Sequence, residues 1–182
     1  MRILVTLFLF VLVTSCEKEE SLLPRGWGDV VIVIDGELLN FIGKSSDGLL
    51  VEGSKDVNFG HFNESEFLRR TISIHSMPSS EGLHHLRPLE FGSMGVAPIS
   101  LLTSMHTYLD DGDVTDESFY LNASDDFDDF IEVTSISSSS ISGKFQASFT
   151  NTLDTGAAPQ VVPPRVVEIP SFDFTIPILE KF

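Results

Sequence analysis

Val30-Val31-Ile32-Val33-Ile34-Asp35-Gly36-Glu37-Leu38-Leu39-Asn40-Phe41-Ile42 decides the fold class of this chain. A β-branched run of strand length meets Asp-Gly, and an apolar pattern resumes beyond it. Asp-Gly between two such runs is a hairpin signal, because a type I′ turn needs positive φ at both central residues. Ser46-Asp47-Gly48 repeats the arrangement ahead of Leu49-Leu50-Val51, which reads as a further strand. Leu68–His75, with Ile72 and Ile74 in alternation, reads as another.

Farther along the chain the same period-two pattern recurs. Met77 to Gly82 reads as a turn or loop, and Leu83–Leu89 as a short helical turn that Pro88 stops. Ile99 to Leu109 holds a short strand ending at Asp110-Asp111-Gly112-Asp113. Strands are expected over Ser118–Asn122 and from Phe130, with Ser137–Ser140 as a polar turn. Ile141–Thr150 alternates, placing Phe145, Ala147 and Phe149 on one face and Lys144, Gln146, Ser148 and Thr150 on the other; this is a half-buried antiparallel strand. A loop over 152–164 precedes Val166–Ile169 and Phe172–Ile178, where Pro177 belongs at a sheet edge or terminus because it cannot donate to a ladder. No long window after the first 16 residues has a 3.6-residue period. The expectation is therefore one all-β domain over 29–182, an antiparallel β-sandwich or partly open barrel.

The first residues read differently. Arg2 precedes the apolar run Ile3–Val13, and Val13-Thr14-Ser15-Cys16 closes it with the only cysteine of the chain. Eleven residues or so suit a signal-peptide core. At about 1.5 Å per residue they cover only about 16 Å as a helix, short of a ~30 Å hydrocarbon core. This is the layout of a lipoprotein signal peptide over 1–15, followed by a tether over 16–28. The resemblance implies a diacylglyceryl group on Cys16 and attachment to membrane through that lipid. Glu17-Lys18-Glu19-Glu20 resembles the lysine-plus-acidic export signal of Bacteroidota surface lipoproteins, which implies an outer-membrane protein exposed at the cell surface. Trp27 is expected to pack on the edge of the domain, with a sugar-stacking platform as the alternative.

A wider resemblance rests on Phe130-Ile131-Glu132-Val133-Thr134-Ser135-Ile136, Ile141-Ser142-Gly143-Lys144-Phe145, Ser171–Ile178 and the Ile34-Asp35-Gly36 hairpin. These are similar to strands in small surface lipoproteins of Bacteroidota with a β-sandwich-like domain of unassigned function. The shared motifs are strand and turn patterns at the two ends of the domain. The resemblance therefore implies fold and location and transfers no catalytic residue.

Charge narrows the function classes. With 27 Asp and Glu against 11 Lys and Arg, the formal net charge is −16. Nothing basic is available to neutralise phosphates, which argues against nucleic acid and against electrostatic binding to anionic membranes. Divalent cations or basic partners remain compatible. The acidic stretch Asp110, Asp111, Asp113, Asp116 is the candidate calcium site, since calcium takes six to eight hard oxygens; its spacing does not match an EF-hand loop, and solvated loops at one end of the fold are the alternative. Asp125, Asp126, Asp128 and Asp129 form a second acidic stretch. His84-His85 in an extended segment point to opposite faces, so a shared metal is disfavoured. There is no Gly-x-Ser-x-Gly elbow and no phosphate-binding glycine loop. The expected role is that of a noncatalytic envelope lipoprotein without a cofactor, binding an envelope protein or glycan, with a calcium-stabilised adhesion or glycan-binding module as the alternative.

Overall fold

A computed structural model describes residues 26–86, 101–110, 112–122, 126–151 and 164–179. Cys16, Glu17, Lys18, Glu19, Glu20, Asp111 and Asp125 lie outside the described residues.

The described chain is all-β. Its strands are β1 (Gly28–Ile34), β2 (Glu37–Asp47), β3 (Ser54–Phe62), β4 (Leu68–Pro78), β5 (Gly82–His85), β6 (Leu102–Tyr108), β7 (Thr115–Leu121), β8 (Phe130–Ile136), β9 (Ser140–Thr150) and β10 (Val166–Pro177). They form one antiparallel sheet in the order β1-β2-β3-β4-β6-β7-β9-β8-β5, with β10 paired to β9. β9 is the branch point. One edge pairs with β10 along its length; the other pairs with β8 over Ile141–Gln146 and with β7 at Phe149 and Thr150.

The sheet curls into a partly open barrel. Phe59 of β3 meets Phe172 and Phe174 of β10 edge-on, with ring centroids 5.7 and 5.6 Å apart. Those strands are five steps apart in the sheet, which would be about 24 Å in a flat one at ~4.8 Å per step. Alternating residues supply the interior: Val30, Ile32 and Ile34 of β1, Phe41 of β2, Ile72 and Ile74 of β4, and Phe145 and Phe149 of β9 are all buried. Gly43 lets β2 and β10 approach closely across the interior, since a Cβ there would lie 2.7 Å from Ile176 Cγ2 and 2.8 Å from the Phe59 ring.

β1 and β10 flank the seam. No ladder joins them among the described residues. The seam is tight at the Gly28 end, where a Cβ would meet the Thr175 carbonyl at 2.8 Å. β2 runs past the start of β1 there, and its free edge takes the end of the chain: Ser45 bridges to Ile178 and its carbonyl accepts from Leu179 N at 2.8 Å. At the other end the seam opens into a cleft.

Several expectations are corrected by this register. The second Asp-Gly does not make a tight hairpin. β2 runs to Asp47, residues 48–53 form a longer turn, and Leu49-Leu50-Val51 belong to that turn instead of a strand. The strand that follows is β3, which begins at Ser54. Leu83–His85 is extended, not helical, because Gly82–His85 pairs with Val133–Phe130. Val166–Ile169 and Phe172–Ile178 are one strand interrupted by a bulge at Pro170 and Ser171. On β9, Ser148 and Thr150 are buried instead of solvated: Ser148 sits beneath the 126–129 segment and donates its N–H to the Asp129 carboxylate at 2.7 Å.

Candidate functional site

The two barrel ends differ in chemistry. At one end the chain enters through Gly26 and Trp27, with Lys44 over the Trp27 ring at 4.7 Å. Trp27 is half-buried, a domain-edge contact as its sequence position suggests. At the other end lie the β1–β2, β3–β4 and β6–β7 turns, which together form a rim.

Each rim turn is built by local hydrogen bonding. Asp35 and Gly36 carry the positive φ values, 54° and 80°, of the expected hairpin turn. In the β3–β4 turn the Asn63 side chain accepts from Ser65 N at 3.0 Å and Phe67 N at 2.9 Å, an Asx arrangement that replaces the missing ladder partners. In the β6–β7 turn, Leu109 N donates to the Val114 carbonyl and Gly112 N to the Leu109 carbonyl, both at 2.9 Å. Arg69 ties the last two turns together through Asp110 at 2.7 Å.

This construction leaves apolar side chains in solvent among carboxylates. Phe67 is 40%, Leu109 46% and Val114 51% exposed. Glu64, Asp110, Asp113 and Asp116 lie in or next to the same turns. Sequence reading missed these apolar residues. The signal was present in Glu64-Ser65-Glu66-Phe67 and Asp113-Val114, large apolar residues inside acidic turns, but only the fold shows that the two turns are neighbours.

Arg165 closes the rim against the seam. Its guanidinium pairs with Glu117 at 2.7 Å and Asp35 at 3.3 Å and lies 5.5 Å over the buried Phe119 ring. Below it the seam cleft, about 400 Å³, is lined by Val33, Asp35, Gly36, Val166, Glu168 and Pro170. Pro170 has no N–H to offer and Glu168 places a charge on the strand, two devices that discourage edge-to-edge pairing.

The acidic candidates are placed as follows. Asp110 is engaged by Arg69, and Asp113 and Asp116 are exposed on the rim. Among the described residues no three His, Cys, Asp or Glu come together as a metal site. In the other acidic segment, Asp128 lies 3.3 Å from His85, while His84 faces the Ser80 carbonyl at 3.1 Å; the adjacent histidines have separate partners, as an extended segment requires.

One serine–histidine pair does form. His106 Nδ1 is 2.9 Å from Ser118 Oγ, directly across the β6–β7 ladder. Burial lowers the His106 pKa from its ordinary value, which keeps the ring neutral at pH 7. A nucleophile and base at this distance are a necessary part of acyl-transfer chemistry. This pair, however, sits on the outer face of a paired sheet, between β4 and β7, where it acts as a cross-strand tie.

No family model, curated protein or solved structure matches this chain.

Proposed function

We propose that this chain is a noncatalytic, lipid-anchored lipoprotein of the outer membrane that holds its acidic, apolar rim away from the bilayer to bind an envelope partner. The observation that carries the reading is polarity along the barrel. The chain enters at Gly26–Gly28, and the rim with exposed Phe67, Leu109 and Val114 lies at the opposite end. A chain tethered through Cys16 would therefore present that rim outward. The lipobox Val13–Cys16, the export-type run Glu17–Glu20 and the resemblance to Bacteroidota surface lipoproteins support the address. The rim chemistry favours an envelope protein or glycan complex with a basic, partly apolar contact face, since carboxylates around an apolar centre reward both charge pairing and burial.

The test uses a photo-crosslinking residue in living cells, at Val114 on the rim and, separately, at exposed Ser138 in the Ser137–Ser140 turn of the opposite end. A discrete adduct from Val114 and none from Ser138 is expected. The same adducts from both positions, or none from either, would overturn the reading.

A further inference from the structure

We propose that the 48–53 turn is a lipid-contacting tip on which the barrel stands at the bilayer surface. Leu49 and Leu50 are adjacent at its apex, 72% and 56% exposed, the first of these matched in exposure only by Leu38 among the large apolar side chains described. Their exposure does not come from a loose loop. Gly48 N donates to the Ser54 carbonyl at 2.9 Å and Ser54 N to the Val51 carbonyl at 3.2 Å. The Ser54 hydroxyl reaches the same Val51 carbonyl at 2.6 Å, and the Ser79 hydroxyl donates to the Gly53 carbonyl from β4's end. Buried Asp56 accepts from Leu49 N at 3.3 Å and from Ser76 N at 3.0 Å. These bonds fix the turn's backbone, and the two leucines are held largely in solvent among the described residues.

Charge and position identify the occupant. The whole chain is strongly acidic, which repels an anionic leaflet. Beside this turn the charges are largely paired off: Lys55 pairs with Asp47 at 2.7 Å, and Asp56 is buried, 3.5 Å from His75. The tip also lies at the end where the chain enters the barrel. The inference rests on the tethered reading above: ten residue steps separate Cys16 from Gly26, a reach of at most about 36 Å at 3.3–3.6 Å per residue, so the bilayer is the surface within range. Aliphatic groups entering the headgroup–acyl boundary add to a lipid anchor as a second contact, and here they would fix which end faces out.

The test uses the lipidated mature chain in phosphatidylethanolamine–phosphatidylglycerol vesicles, with and without brominated acyl chains. Trp27 is the only tryptophan, so a Trp27→Phe background gives a silent chain. Leu50→Trp reports on the tip and Val114→Trp on the rim; Leu49→Trp repeats the tip measurement, and circular dichroism checks each fold. At least twofold quenching of the Leu50→Trp and Leu49→Trp emission by brominated lipid, with none for Val114→Trp, is expected. A chain that floats with the vesicles but leaves both tip reporters unquenched overturns the tip while leaving the anchor intact. A chain that does not float overturns both. A tip emission that shifts blue without lipid, in step with a discrete oligomer on gel filtration, reassigns the leucines to a protein contact.

Discussion

Replacing Phe59 tests the curl of the sheet more sharply than any surface change. Phe59 is fully buried on β3, and its two edge-on partners belong to β10. Phe59→Ala removes a large buried ring and leaves a cavity, a change that costs about 3–5 kcal/mol. Against a usual domain stability of about 5–15 kcal/mol, that is a large share. The diagnostic quantity is the coupling with Phe172. Phe59→Leu and Phe172→Leu keep more of the volume than alanine does and should each cost less than Phe59→Ala, so the double variant still folds. An edge-to-face pair contributes about 0.5–1.5 kcal/mol beyond area burial. The double-mutant cycle, read by urea denaturation followed by circular dichroism, should return a coupling in that range. A flat or differently ordered sheet would keep β3 and β10 about 24 Å apart, and independent sites add to within about 0.3–0.5 kcal/mol. A coupling indistinguishable from zero, or a Phe59→Ala cost below about 1 kcal/mol, would refute the closed arrangement.

Further outcomes follow from particular contacts. Gly43→Ala should destabilise by about 1–3 kcal/mol in the same urea assay through overpacking, because its Cβ would press on Ile176 and Phe59; a neutral result would show that β2 and β10 sit farther apart. Arg165→Ala should lower stability by about 1–2 kcal/mol, mostly at low salt, from two half-exposed ion pairs and one cation–π contact; a loss that salt does not reduce would mean the seam is not latched by charge. His106 has a lowered folded pKa, so the unfolded chain takes up its proton first as pH falls. Its contribution is constant above the unfolded value near 6.5 and declines below it. His106→Gln should therefore lose less stability than the parent between pH 7.5 and 5.5, and equal losses would contradict the assigned burial. Arg69 already engages Asp110, so millimolar calcium against chelator should leave the melting temperature unchanged; a rise of several degrees would restore the Asp110–Asp116 stretch as a metal site.

What could be read from the sequence was local. The Asp35-Gly36 hairpin, the alternation of β9 and the Ser137–Ser140 turn each carry their signal within ten residues. The Ser137 hydroxyl accepting from Ser140 N at 2.9 Å shows why serines suit that turn. The misread elements depend on distant partners. Leu49-Leu50-Val51 has strand composition, but Ser79 bonding the Gly53 carbonyl and Asp56, itself anchored by Ser76, hold its backbone in a turn. Leu83–His85 becomes a strand because β8 offers it an edge. Ser148 is buried because a segment some twenty residues earlier covers it. The rim was illegible for the same reason: Phe67 and Val114 are 47 positions apart, and only the β4–β6–β7 pairing places their turns side by side.

The orientation of the barrel on its membrane is the most direct test of the functional account. β2 alone spans Glu37–Asp47, roughly 37 Å along the strand at ~3.4 Å per residue, or about 28 Å of height at a barrel tilt near 40°. Energy transfer from a dye at Val114 or at Leu50 to an acceptor in the headgroups of vesicles carrying the lipidated chain measures both heights. The account predicts Val114 roughly 25–30 Å above Leu50, with Leu50 at the headgroup plane. Equal heights, or Val114 nearer the lipid, would contradict it.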